Sequence, residues 1–163
     1  MASGETLVTW VAQSNEPPAF NPATLDKRNM IPVLDFDDSV NEHAVFRGVM
    51  PQHYSGNGIK AYLHVSMTSA VTGDIDLDGA FERIGDGQQD IDSDGFATAK
   101  SVDNTAVPAT CGHVDIIEMT FSDGAEIDNV GPGELFRFKL SRDAVSDTAT
   151  GDMELHAIEL REA

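Results

Sequence analysis

Carboxylates dominate the side chains that could do chemistry here, and between Gly73 and Gly95 the pattern Asp-x-Asp-x-Asp-Gly occurs twice, at Asp74, Asp76 and Asp78 and at Asp90, Asp92 and Asp94. That spacing is the start of a calcium loop, in which positions 1, 3 and 5 supply oxygens and a glycine at 6 makes the turn. The first triplet alternates with Ile75, Leu77 and Phe81, so it reads as a strand. Alternate side chains on one strand face project in parallel, about 6–7 Å apart, and cannot wrap a single ion. The second triplet lies between strands, but its position 12 is Ser101 where a bidentate Glu would close the loop, and no helix flanks it. It reads as a solvated polar turn, with a weak calcium site at Asp90, Asp92 and Asp94 as the alternative. No cofactor is expected.

The remaining reactive groups form no constellation. His43, His53, His64, His113 and His156 make neither His-x-His nor His-x-x-x-His pairs, so no metal cage or helical zinc motif is indicated. No serine sits in a Gly-x-Ser-x-Gly elbow and no Gly-rich phosphate loop is present. Cys111 and His113 would share one face of a strand, but no third group to orient them can be named. With 28 acids a glycosidase-like pair at about 5 Å is always conceivable, so a β-sandwich hydrolase stays as a minor alternative to the non-enzymatic reading.

The elements that must position these groups are strands. Period-two alternation runs through 43–51, 60–68, 113–121 and 134–141, with Phe46, Leu63, Val65, Ile117, Met119, Phe136, Phe138 and Leu140 on inward faces. Further strands are expected at the LVTWVA segment, 32–36, 74–84 (Ile75, Leu77 and Phe81 inward), 96–100 and 153–160, about nine in all. No window of a dozen residues keeps a helical stripe. Gly- and Asn-bearing turns separate the strands. The expected fold is all-β, an antiparallel two-sheet sandwich of jelly-roll type. Residues 1–31 carry Pro17, Pro18 and Pro22 and no sustained alternation, which suggests an extended amino-terminal arm before a sandwich domain over 32–163; a long ordered loop packed on its own domain is the other reading. Trp10 and Phe20 are its expected anchors.

Length and charge set the outer limits. A chain of 163 residues suits one domain able to bury roughly 70% of its unfolded surface without disulfides or metal. The single cysteine and the absence of a basic, apolar leader point to a reducing cytoplasm, and no run approaches the roughly 20 apolar residues that span a membrane. The net charge of −18 opposes nucleic-acid binding, which needs Lys and Arg on the phosphates.

Four segments carry a resemblance: Leu25-Asp26-x-Arg28-Asn29, Pro32-Val33-Leu34-Asp35-Phe36-Asp37, the Arg142-Asp143 turn, and Gly151-Asp152-x-Glu154-Leu155. From Asn21 onward the chain resembles small acidic structural proteins of tailed phages and prophages. More loosely, by architecture, size and acidity, it is similar to jelly-roll cement or decoration proteins of phage heads. The resemblance implies a non-enzymatic virion protein assembled in the host cytoplasm and placed on the outer capsid surface. It would bind the major capsid protein and itself, as a trimer in preference to a dimer. Expected contact residues are Trp10, Phe20, Leu25 and Arg28 in the arm, and Val45, Val49, Tyr62 and Ile116 on outward faces, where a lone sandwich would show polar groups. The alternative is a carbohydrate-binding module of a tail or fibre.

Overall fold

The structure, a computed structural model, describes residues 4–163. Ten strands follow one another: β1 (Thr6–Val11), β2 (Thr24–Arg28), β3 (Ile31–Phe36), β4 (Glu42–Val49), β5 (Ile59–Met67), β6 (Asp74–Ile84), β7 (Lys100–Ala106), β8 (Asp115–Phe121), β9 (Leu135–Arg142) and β10 (Met153–Glu162). Two single-turn 3-10 segments, Ala12–Ser14 and Ala125–Ile127, are the helical content of the described residues. One sheet runs β2-β3-β10-β5-β8, with β1 also paired to β10, and the other runs β4-β9-β6-β7. All strand pairs are antiparallel. From β3 to β6 the chain changes sheet at every strand, and it does so again from β7 to β10, which makes the sandwich a jelly roll.

The strand phases follow from side-chain alternation. Opposite Phe138 on β9 stand Phe46 of β4 and Phe81 of β6, all pointing inward. Phe121 of β8 meets Phe81 edge-on at 4.9 Å, and Trp10 of β1 stacks on Phe46 at 5.5 Å. All the inward residues named from the sequence are buried, from Phe46 to Leu140. Gly79 of β6 sits where a Cβ would meet Met119 Sδ at 2.5 Å and Phe121 and Phe138 ring carbons at 3.0 and 3.1 Å, so the rings close over a position that only glycine can fill.

The amino-terminal segment is not an arm. β1 pairs with the second half of β10 and β2 forms a hairpin with β3, so residues 6–11 and 24–28 are woven into the larger sheet. Between them, residues 15–23 lie along the free edge of β4. Glu16 N donates to Val45 O, Val45 N to Asn15 Oδ1, Ala23 N to His43 O and His43 N to Asn21 O, at 2.7–2.9 Å. The prolines stop this strap from becoming a strand, yet it satisfies the edge groups of His43 and Val45. The last strand of the smaller sheet also differs from expectation. It covers 100–106 instead of 96–100: regular pairing with β6 begins at Lys100, opposite Gly79, and before it Ala97 N donates to Phe81 O.

The end of β9 carries a buried cation. Arg142 is fully buried and uses all five donors: Nε and Nη2 on Asp147, Nη1 on Phe36 O and Gly151 O, and Nη2 on Ala149 O. One side chain thereby ties the 143–152 loop to β3.

Candidate functional site

The outward face of the smaller sheet is enclosed where the larger sheet's is open. Strand alternation sends His43, Val45, Arg47 and Val49 of β4, Leu135, Arg137, Lys139 and Ser141 of β9, and Asp78, Ala80, Glu82 and Ile84 of β6 outward. Two irregular segments rise beside this floor. On the β4 side is the strap, with Glu16, Pro17, Pro18, Ala19 and Phe20; on the β6 side is the 85–99 excursion, with Ile91 and Phe96. They bound a cleft of about 540 Å³ over His43, Val45, Arg137 and Lys139, and a second of about 310 Å³ over Arg47, Glu82, Ile84 and Leu135. Glu16 and Arg137 line both, so the two run on as one groove across the strands. Its larger part has the size of a small-ligand site.

The walls carry the aromatics and the floor carries the charges. Phe20 is 75% exposed, held by a strap whose turn passes through Asn21 at a φ of 44°. Phe96 lies over the floor cations, its ring centre 5.0 Å from the Arg137 guanidinium and 4.8 Å from Lys139 Nζ. A ring on a cation is attracted through its quadrupole, which fixes the plane of Phe96. Arg137 also pairs with Glu82, whose side chain is 1% exposed, and Arg47 pairs with Glu16 at 3.1 Å. His43 Nδ1 lies 2.6 Å from Ser141 Oγ; burial, then the charge of Lys139, lowers its pKa against the opposing charge of Asp78, which favours the neutral imidazole.

The expected contact residues part company in this arrangement. Phe20 and Val45 come together at the smaller sheet, Val45 buried beneath the strap as floor instead of surface, while Val49 is exposed at the far end of β4 and lines neither cleft. Tyr62 and Ile116 lie on the opposite sheet, Tyr62 under the Arg161 guanidinium at 4.3 Å and Ile116 exposed. Leu25 is exposed on the edge strand β2. Two residues have their polar groups engaged within the fold. Trp10 is 6% exposed, with its indole N–H on Arg47 O at 3.0 Å, because β1 joins the sheet and points it into the core. Arg28 is spent internally: Nη1 donates to Glu154 and Met67 O, both at 2.7 Å, and Nη2 lies 4.0 Å from Cys111 Sγ.

The acidic triplets do not converge either. Asp76 accepts from Asn104 N at 2.6 Å and Asp78 from Ser101 Oγ. Asp90 caps its own turn, accepting from Asp92 N, Ser93 N and Asp94 N, while all three carboxylates of the second triplet stay exposed. Among the described residues no three His, Cys, Asp or Glu side chains are gathered as an ion would require. Cys111 and His113 occupy the turn before β8; the thiol faces Arg28 and the imidazole is exposed.

Two other hollows are closed to chemistry by their own contacts. That of about 370 Å³ near Tyr54 has its phenol engaged, donating to Asp123 and accepting from Gly58 N, with burial and then that donation raising the Tyr54 pKa. That of about 480 Å³ beside β7 has Lys100 and Glu126 turned on each other.

Phe96, Arg137, Lys139 and the strap prolines were not singled out from the sequence as site residues. The available signal was the isolation of Phe20 and Phe96, each an aromatic ring in a stretch otherwise rich in Pro, Gly or Asp.

No protein-family model and no curated protein matches this sequence. Solved structures share its fold. Carbohydrate binding module CBM6cm-2 of Cellvibrio mixtus lichenase 5A, solved with cellotriose, superposes with a TM-score of 0.52 at 13% identity over 98% of this chain and 99% of its own. The xylan-binding module CBM15 gives 0.51 at 9% identity over 96% and 97%. A glycosylation-associated protein complex (Gap123) of Streptococcus agalactiae gives 0.51 at 10% identity, with all of this chain spanning 26% of that one. At these identities the likeness is one of fold.

Proposed function

We propose that this chain is a non-catalytic carbohydrate-binding domain that takes an extended sugar chain along the groove on the smaller sheet. The observation that carries the reading is the pairing of two loop-borne rings, Phe20 and Phe96, on opposite walls over a floor of hydrogen-bonding groups, His43, Arg137 and Lys139. A sugar ring has an apolar face of C–H groups and a rim of hydroxyls. Aromatic walls suit the first and a polar floor the second, as in ligand sites where a few polar groups orient a mostly apolar contact. The cellotriose-bound and xylan-binding modules with which the chain shares its fold are consistent with this reading, but fold does not by itself imply function.

The test is retardation in native gels containing xylan, mixed-linkage glucan, galactan or polygalacturonate. Phe20→Ala should leave stability unchanged, since the ring is exposed, and reduce affinity about tenfold, the cost of losing one central contact. A wild-type chain retarded by none of these polymers overturns the reading.

A second reading, a capsid cement protein acting as a homo-oligomer outside a phage head, is favoured by one feature. Leu25, Met30 and Ile31 expose apolar side chains on the β2–β3 hairpin, Met30 to 87%. Sedimentation that gives a monomer, with no co-sedimentation on expanded heads, removes it.

A further inference from the structure

We infer that the groove selects sugars bearing a negative charge, with Lys139 as the residue that reads it; this rests on the carbohydrate reading above. In a chain of net charge −18 the groove is locally rich in cations. Its lining holds Arg47, Arg137 and Lys139 against Glu16 and Glu82, three cations to two carboxylates, while Asp78, on the row beyond Lys139, accepts from Ser101 Oγ at the floor's edge.

The surplus can be assigned to one side chain. Across the strands, Arg47, Arg137 and Glu82 form one row, in which the two like charges on β4 and β9 each have a carboxylate, Glu16 for the first and Glu82 for the second. The neighbouring row is Val45, Lys139 and Ala80, with no acid in it. Lys139 enters none of the ion pairs among the described residues. Its ammonium rests instead on the Phe96 ring, a contact that holds a cation in place without neutralising it. A half-buried lysine flanked across the strands by Val45 and Ala80, in the lining of a cleft of about 540 Å³, is suited to a single anionic group arriving with the ligand. The chemistry fits the carboxylate of a hexuronic acid or a sulfate ester, and neutral hydroxyls do not require it.

The probes are short galacturonate oligomers, the same oligomers as methyl esters, and sulfated galactose oligomers of equal length. Calorimetry at about 0.15 M salt screens the distant acidic surface beyond about 8 Å while leaving a contact pair intact. The acid, the sulfate or both should bind about tenfold tighter than the ester, and Lys139→Met should erase that ratio by weakening the anion far more than the ester. Whichever anion holds the advantage identifies the source of the charge. Equal affinity for acid, sulfate and ester, or an advantage that survives Lys139→Met, overturns the inference and leaves the carbohydrate reading standing. Failure of all three, and of neutral xylan and glucan, overturns both. Thermal melting of Lys139→Met within 2 °C of wild type shows that any loss belongs to binding.

Discussion

Strand β9 carries three cations, and their surroundings differ as much as any in the molecule. Arg142 faces inward at the strand's end, fully buried, with every donor satisfied. Arg137 faces outward and shares its charge with Glu82 and Phe96. Lys139, two residues on, has the ring and no acid. A saturated cation organises the fold, whereas a cation left without a carboxylate at an accessible floor contributes little to folding and retains its charge for a ligand. The difference is one of partners and not of residue type.

The sharpest way to break this comparison is Arg142→Met. It strips Asp147, 1% exposed, of its partner and frees three carbonyls, so stability should fall by about 3–5 kcal/mol. For a domain of this size that is roughly 6–20 °C in melting temperature; a loss under 2 °C would show that the node is not structural. Arg137→Met should cost less, about 1–3 kcal/mol, because it leaves the buried Glu82 without its ion pair but removes a cation that is itself partly exposed. Urea unfolding at constant m-value measures it.

The larger sheet supplies an inverse case, a carboxylate held among other carboxylates. Asp35 of β3 has a buried Oδ1 with no hydrogen-bond partner, and burial, reinforced by Asp26 and Glu154, pushes its pKa up to about 7. The folded state thus holds a proton that the unfolded chain loses near pH 4. Stability from this group is fully present below about pH 4 and lost as pH rises through about 7. Asp35→Asn should therefore stabilise by on the order of 1–2 kcal/mol at pH 8, after allowance for solvent at this half-buried site, and by nothing at pH 3.5. Melting curves of both proteins at the two pH values decide it, and a gain of equal size at both would remove titration as its cause. The smallest effect belongs to Lys139→Met, which should move stability by no more than about 0.5 kcal/mol.

The sequence disclosed the sandwich more fully than the groove. Alternation at 43–51, 60–68, 113–121 and 134–141 is local, so Phe138 or Leu63 could be placed inside from neighbours alone. β2 escaped notice because TLDKR is short and polar, and an edge strand needs neither an apolar face nor length. Trp10 was drawn toward the surface by its proline-rich surroundings, since nothing local announces that β1 pairs with a strand near the other end of the chain. The groove escaped for a related reason. Its floor is strand, but its walls are aperiodic segments whose positions depend on contacts such as Glu16 to Val45 and Ala97 to Phe81. Lys139 reads in sequence as any outward lysine, and what distinguishes it, the row of Val45 and Ala80, requires the register of three strands.

The strap along β4 has a consequence for the thermodynamics of capture. Its backbone is hydrogen-bonded to the strand edge at His43 and Val45, and its prolines restrict what freedom remains. Lifting it away would uncover an unpaired edge, so the wall that presents Phe20 is ordered when the protein folds and not when a ligand arrives. On the proposed function, a sugar chain settling there would meet a finished surface, and the loss of conformational entropy on association would fall mainly on the sugar.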